Sequence, residues 1–127
     1  MVQRYKDLIV YQKAYKLALE IYQTTKNYPK EEIYGLISQM RKAKLSVTNN
    51  IAEGYGRYHF QENMQFCRQS RGSIYELIDD FNECFDNEYI DQKYRDDLKN
   101  DGYHLIKVLN SYVASLKRLK SKSNSGS

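Results

Sequence analysis

Hydrophobic residues recur at steps of three and four along nearly the whole chain, which is the spacing of α-helices that bury one face. The first such segment spans about residues 7–27, and the second follows Pro29 and runs from about residue 30 to 57. The third covers about residues 60–85, and the fourth follows a polar loop, with Asp91 as its N-cap, and continues to about residue 119. No stretch shows the sustained alternation of a strand. The pattern predicts an all-α protein.

The lengths of the four segments and of their connections predict how they pack. Amphipathic helices of about 20 residues or more, joined by short links, favour an antiparallel up-down-up-down four-helix bundle, since a long crossover would need a longer linker. We assign residues 1–120 to this bundle. The polar segment 121–127 lacks apolar anchors, and we predict that it is a disordered tail.

The sequence also predicts a cytoplasmic protein that does not associate with membranes. No apolar run approaches the roughly 18 residues that span a bilayer, and the N-terminus lacks the apolar stretch of a signal peptide. Cys67 and Cys84 lie seventeen positions apart in one predicted helix, hence about 25 Å apart. They are too distant for a disulfide, and we expect both to be free core residues.

Polar residues at helical spacing form a stripe beside the apolar face of both the second and the third segment. The residues that we assign to a structural polar network between these helices are Ser46, Asn50, Glu53, Gly72, Ser73 and Glu76. Hydrogen bonds among them would fix the register of the two helices. The glycine in the set would let the two backbones approach closely.

A catalytic role for the carboxylates of Glu53 and Glu76 is disfavoured by the residues at neighbouring positions. Neither has a histidine, lysine or metal-binding partner at a useful spacing, and the Glu-x-x-His pattern of di-metal bundles is missing. The two histidines, His59 and His104, lack a second histidine or cysteine three or four positions away. We therefore expect no enzymatic activity, no metal and no cofactor.

Four blocks of sequence carry a resemblance to a known family. They are YKDLIVYQKA at 5–14, YGLISQMRKA at 34–43, SVTNNIAEG at 46–54 and GSIYEL at 72–77. In sequence and order they resemble the bacterial four-helix-bundle family typified by the 23S rRNA intervening-sequence proteins, over residues 5 to about 119. The resemblance implies a non-enzymatic protein that forms ring-shaped homopentamers and binds RNA or a ribonucleoprotein. These proteins also resemble accessory proteins of diversity-generating retroelements.

Basic residues outside the apolar stripes support RNA binding independently of that resemblance. The net charge is +4, and residues 58–86 carry only two Lys or Arg against six Asp or Glu, so the positive charge is concentrated elsewhere. The candidate nucleic-acid-binding residues are Arg41, Lys42, Lys44, Arg57, Lys117, Arg118 and Lys120. Lysine and arginine neutralise phosphates, and the thirteen tyrosines offer stacking surfaces. The pI of about 8.9 is lower than is usual for a dedicated nucleic-acid-binding domain.

The sequence leaves two functions open. The first is an oligomer that binds RNA or a ribonucleoprotein. The second is a protein-interaction scaffold, such as an accessory subunit of a retroelement reverse transcriptase, whose basic charge only aids solubility. Tyr15, Tyr22, Tyr75 and Tyr112 exceed what one bundle core needs, and they predict faces that are buried between subunits of a homo-oligomer.

Overall fold

A computed structural model describes residues 4–125 of the chain and confirms the predicted fold class. The four helices are α1 (Ile9–Thr25), α2 (Leu36–Tyr55), α3 (Phe60–Asp86) and α4 (Gln92–Ser125). Short 3-10 turns at Tyr5–Asp7 and Lys30–Glu32 precede α1 and α2, and the described residues contain no strand. Helices α2 and α3 form the central antiparallel pair, and α1 and α4 complete an up-down-up-down bundle.

One continuous apolar core runs through the bundle, and every helix contributes to it. Its most deeply buried side chains are Ile21, Met40, Ile51, Ile74, Leu77, Phe81, Leu98, Leu105 and Leu109. Burying one such side chain stabilises the fold by about 1.5–3 kcal/mol. Cys67 and Cys84 are buried and free, as the sequence predicts. The steps of three and four therefore identify the core-facing side of each helix correctly.

Helix α2 begins later than the sequence predicts, at Leu36 rather than near residue 30. The intervening residues form a 3-10 turn, and Gly35 has a non-helical backbone (φ −110°, ψ −115°). A carboxylate oxygen of Glu32 accepts a hydrogen bond from the backbone N–H of Leu36 (3.1 Å), and its other oxygen accepts one from the Tyr89 hydroxyl (3.0 Å). Glu32 thus caps α2 and ties the α3–α4 connection to it.

The two ends of α4 differ in how well the sequence predicts them. Asp91 is the N-cap as predicted, since its carboxylate accepts a hydrogen bond from the backbone N–H of Tyr94 (2.8 Å). At the other end α4 continues to Ser125, so residues 121–125 are helical where the sequence predicts a disordered tail. A helix that is already nucleated can add residues without apolar contacts, because each added residue gains a backbone hydrogen bond. Residues 126 and 127 of the predicted tail lie outside the described part of the chain.

Close approach of helix backbones occurs at glycines other than the predicted one. Gly72 is exposed, and a Cβ atom placed there would have no neighbour within 4 Å, so the prediction for this residue was wrong. A Cβ atom at Gly54 would lie 2.6 Å from Asn63 Oδ1, and one at Gly102 would lie 2.7 Å from Ile78 Cγ1. These two buried glycines allow α2 to pack on α3, and α3 on α4.

Candidate nucleic-acid interface

The predicted polar network between α2 and α3 is present in a smaller form. The hydroxyl oxygens of Ser46 and Ser73 lie 2.7 Å apart across the two helices. Asn50 Nδ2 donates to the backbone carbonyl of Ser46 (2.7 Å) and to its hydroxyl (3.0 Å). A second bond between the helices runs from the buried Ser70 hydroxyl to the carbonyl of Val47 (2.9 Å). These contacts fix the register of α2 against α3.

The two carboxylates predicted for the network lie on the surface instead. Glu53 and Glu76 are both exposed. A carboxylate oxygen of Glu53 pairs with Arg57 Nη2 at 2.7 Å, one helical turn away, and the Arg57 guanidinium lies 5.1 Å from the centre of the Phe66 ring. On each helix the predicted polar stripe therefore extends beyond the α2–α3 contact, and its glutamate lies in solvent.

The seven predicted nucleic-acid-binding residues do not form one patch. Arg41, Lys42 and Lys44 lie in the first half of α2. The other four lie at the opposite end of the bundle, with Arg57 at the α2–α3 turn and the rest in the last turns of α4. From Lys44 to Arg57 the helix spans thirteen residues, or about 20 Å. The structure therefore separates the basic residues into two sites.

In the first site, three cationic groups surround the half-exposed ring of Tyr22 on α1. Arg41 Cζ lies 4.9 Å, Lys26 Nζ 5.2 Å and Lys44 Nζ 5.9 Å from the centre of this ring. Arg41 is held in place by a hydrogen bond from its Nε to the Thr25 hydroxyl (3.2 Å). We call Tyr22, Lys26, Arg41 and Lys44 the Tyr22 cluster. Its geometry is that of a cation–π contact repeated around one ring.

The charges of the Tyr22 cluster are not neutralised by neighbouring carboxylates. Ion pairs within residues 4–125 involve other residues, and none of them includes Lys26, Arg41 or Lys44. Burial of the ammonium group, followed by the charge of Arg41, lowers the pKa of Lys44. The cluster thus concentrates positive charge, and an anion bound there would relieve the mutual repulsion.

The sequence predicts only part of this cluster. Arg41 and Lys44 were identified, and Tyr22 was identified as a surplus tyrosine. Lys26 was missed, although it follows Tyr22 by one helical turn, which is the signal that would have found it. Lys42 is exposed but does not contact the Tyr22 ring.

Exposed apolar side chains lie beside the Tyr22 cluster. Tyr15 and Leu19 precede Tyr22 on one face of α1 and are about half exposed, as is Leu45 on α2. On the far side of the molecule α3 exposes Tyr75 next to acidic residues. Tyr112, the remaining surplus tyrosine, packs on the core of its own chain. The α1–α2 face is therefore both basic and apolar.

A buried carboxylate lies in α3 near the centre of the bundle. Asp80 is 1% exposed, and its Oδ1 accepts a hydrogen bond from Gln39 Nε2 (2.8 Å), whereas its Oδ2 has no partner among residues 4–125. Burial raises the pKa of Asp80 to about 7, and the nearby carboxylates of Glu76, Glu83 and Asp79 add to the effect. The group titrates near neutral pH but faces the core rather than a surface site.

The described part of the chain shows no arrangement typical of a metal centre. Its histidine, cysteine, aspartate and glutamate side chains form no group of three or more that could hold a metal ion. Among the helices of residues 4–125, none combines the length and the apolar character that crossing a membrane requires.

Two comparisons with known proteins agree with this architecture. A solved structure from Bacteroides thetaiotaomicron, a protein of unknown function from the S23 ribosomal protein family, superposes with a TM-score of 0.72. The alignment has 18% identity and covers 83% of this chain and 98% of that one, so it shows the shared fold alone. No curated protein matches the chain in sequence. The family model of the 23S rRNA-intervening sequence proteins matches residues 6–111, and this chain therefore belongs to that family.

Proposed function

We propose that this protein is a non-enzymatic, cytoplasmic homo-oligomer that binds RNA, alone or within a ribonucleoprotein, through the Tyr22 cluster. The observation that carries the proposal is the gathering of three cations without carboxylate partners around one accessible aromatic ring. The two free, buried cysteines fit a reducing compartment such as the cytoplasm.

The chemistry of the Tyr22 cluster matches the two parts of a nucleotide. Lys26, Arg41 and Lys44 would neutralise phosphates, and the Tyr22 ring would stack on an unpaired base. With three phosphates neutralised, binding to a single strand would fall with salt at a log–log slope of about −2 per subunit. Raising the salt from about 50 to 200 mM would then lower the affinity roughly 20-fold.

Self-association would multiply this weak site. The outer face of α3, where Tyr75 is about half exposed, lies on a different helix from the Tyr22 cluster, and separate copies could pack on it while the cluster stays accessible. The family resemblance points to five copies. Repetition of the Tyr22 cluster around such an assembly would raise the affinity for one RNA through avidity.

The test compares two variants that change the charge equally. Arg41→Glu with Lys44→Glu reverses two charges of the cluster, whereas the control, Lys16→Glu with Lys107→Glu, reverses two exposed charges elsewhere. Binding to a labelled RNA hairpin is measured by fluorescence anisotropy across a salt series. We expect the first variant to bind at least about 10-fold more weakly and with a shallower salt slope, and the control to stay close to wild type. Light scattering should give a mass well above 15.1 kDa for all three proteins.

Other outcomes would count against the proposal. Absence of RNA binding even at about 50 mM salt would refute it, and so would an equal loss of affinity in both variants. A monomeric mass for the wild type would refute the oligomer.

A second function is favoured by the apolar side chains beside the cluster, Tyr15, Leu19 and Leu45. They suit a protein-interaction scaffold, for example an accessory subunit of a retroelement reverse transcriptase. Under that function, Arg41→Glu with Lys44→Glu would dissociate the oligomer or its protein complex, and no RNA would be retained by the wild type.

A further inference from the structure

A pocket of about 650 Å³ opens at the end of the bundle where α2 turns into α3, beside the last turns of α4. Its lining is mostly aromatic and aliphatic, and it includes Tyr55, Tyr58, His59, Phe60, Tyr112 and Leu116. This volume lies within the usual range of about 300–1,000 Å³ for pockets that bind small molecules. The pocket lies apart from the Tyr22 cluster, since Lys44 and Tyr55 are eleven helical residues, or about 16 Å, apart.

The pocket contains one hydrogen-bond donor that is free to bind a ligand. Asn63 Nδ2 donates to the Tyr112 hydroxyl oxygen (3.0 Å), and within residues 4–125 the Tyr112 hydroxyl proton has no acceptor. Asn63 Oδ1 is turned away from the pocket, since it accepts the buried thiol of Cys67 (3.7 Å) and packs against Gly54. Burial raises the pKa of Tyr112, so its hydroxyl keeps its proton. A ligand with an acceptor along one edge would satisfy this hydroxyl group.

Positive charge is concentrated around the pocket, although no charged residue lines it. Lys120 Nζ donates to Gln61 Oε1 (2.5 Å), which places this ammonium group next to the first turn of α3. Lys117 and Arg118 are exposed on the same turns of α4. Glu62, in the first turn of α3, only partly offsets these charges. The surroundings therefore favour a ligand with an anionic part.

Tyr58 lies at the edge of the pocket in a conformation that is unfavourable for its residue type. Its backbone has φ +62°, the left-handed region that suits glycine or asparagine, and its side chain is 93% exposed. Backbone strain of this kind tends to occur at binding sites, where the surrounding structure maintains it. An exposed ring beside an aromatic pocket is positioned to stack on a bound planar group.

We propose that this pocket binds one unstacked nucleobase of an RNA strand. The base would stack on the Tyr58 and Phe60 rings, and an acceptor at its edge would bind the Tyr112 hydroxyl. The lysines of the last α4 turns would lie near the flanking phosphates. This inference rests on the proposed function in that the base belongs to an RNA that also contacts the Tyr22 cluster. A fatty acid carboxylate could also accept from the Tyr112 hydroxyl, but an acyl chain has no planar face to stack on the Tyr58 and Phe60 rings.

The experiment uses 2-aminopurine, whose fluorescence falls when it stacks. One probe is 2-aminopurine riboside monophosphate, and the other is an RNA hairpin with 2-aminopurine in its loop. We expect the full-length protein to quench both probes. Tyr58→Asn keeps a residue that tolerates the left-handed backbone but removes the ring, and it should weaken binding of the free nucleotide about 5-fold or more. Tyr34→Asn is the matched control, because Tyr34 is 96% exposed at the other end of the bundle and should leave binding unchanged.

The variants separate failure of this inference from failure of the proposed function. Arg41→Glu with Lys44→Glu should weaken binding of the hairpin while leaving the free nucleotide unaffected. If the hairpin binds without quenching, or if Tyr58→Asn has no effect, the pocket does not hold a base, although RNA binding by the Tyr22 cluster stands. If only the free nucleotide binds, the pocket is supported and the proposed function is wrong. Displacement of the nucleotide by an equal concentration of myristate would overturn the assignment to a nucleobase.

Discussion

Replacing the buried Asp80 by asparagine should stabilise the protein, and the gain should grow with pH. The side chain is 1% exposed, and one of its two carboxylate oxygens has no hydrogen-bond partner. Ionisation therefore places a charge in the core that Gln39 alone stabilises. Asparagine keeps nearly the same shape and can still accept the hydrogen bond from Gln39 without ever becoming charged.

The size of the expected gain in stability follows from the shift in the pKa of Asp80, from 3.8 to about 7. Because the folded protein holds a proton that the unfolded chain releases, the free energy of unfolding falls as the pH rises from about 4 to about 7, and it is constant above that. This shift lowers the free energy of unfolding by about 4 kcal/mol above pH 7. Only about 1.5 kcal/mol of that loss has occurred by pH 5. The stability difference between Asp80→Asn and wild type should therefore be about 2.5 kcal/mol larger at pH 8 than at pH 5.

Urea unfolding followed by circular dichroism at pH 5 and pH 8 measures this difference. Asp86→Asn is the matched control, because Asp86 also lies on α3, carries the same charge and is exposed. Its effect on the free energy of unfolding should change by less than about 0.5 kcal/mol between the two pH values. If both variants show the same pH dependence, or if Asp80→Asn destabilises the protein at pH 8, the argument from burial is wrong.

The remaining predictions concern stability and use the same urea titrations. Gly72→Ala should stabilise by about 0.5–1 kcal/mol, because its Cβ would lie in open space and alanine favours helix. Gly102→Ala should destabilise by about 1–3 kcal/mol, because its Cβ would lie 2.7 Å from Ile78 Cγ1; equal effects of the two alanines would contradict the packing. Asn50→Ala should cost about 1 kcal/mol through its lost hydrogen bonds to Ser46, and Glu53→Ala less than about 0.5 kcal/mol. A larger loss for Glu53→Ala than for Asn50→Ala would reverse the assignment of buried and exposed positions on α2.

The helices could be predicted because the residues that determine each helix are close to one another in sequence. Each contains an apolar stripe whose period depends only on residues within a few turns, and Asp91 is a capping residue recognisable from its position. The start of α2 was not predictable in this way. Residues 30–35 contain helix-favouring glutamates, but one of them, Glu32, caps Leu36 and binds Tyr89, a residue distant in sequence. A contact between distant residues overrides the local preference.

The difference between local patterns and contacts of distant residues also explains which parts of the candidate site could be predicted. Ser46 and Ser73 were correctly paired because both lie at the edge of an apolar face. The sequence could not show how far each helix rotates against its neighbour, and a small rotation places Glu53 and Glu76 in solvent. Assembly of the Tyr22 cluster likewise requires α1 and α2 to align, which no pattern within either helix specifies.

The bridge made by Glu32 has a consequence for the order in which the protein folds. Its carboxylate joins the start of α2 to Tyr89, fifty-seven positions further along the chain. This contact requires α2, α3 and the connection after α3 to be in place, whereas the turns within each helix form from neighbouring residues in about a microsecond. A probe of the Tyr89 ring would therefore report the completion of folding rather than its start. Variants of Glu32 should speed unfolding while leaving the rate of folding almost unchanged.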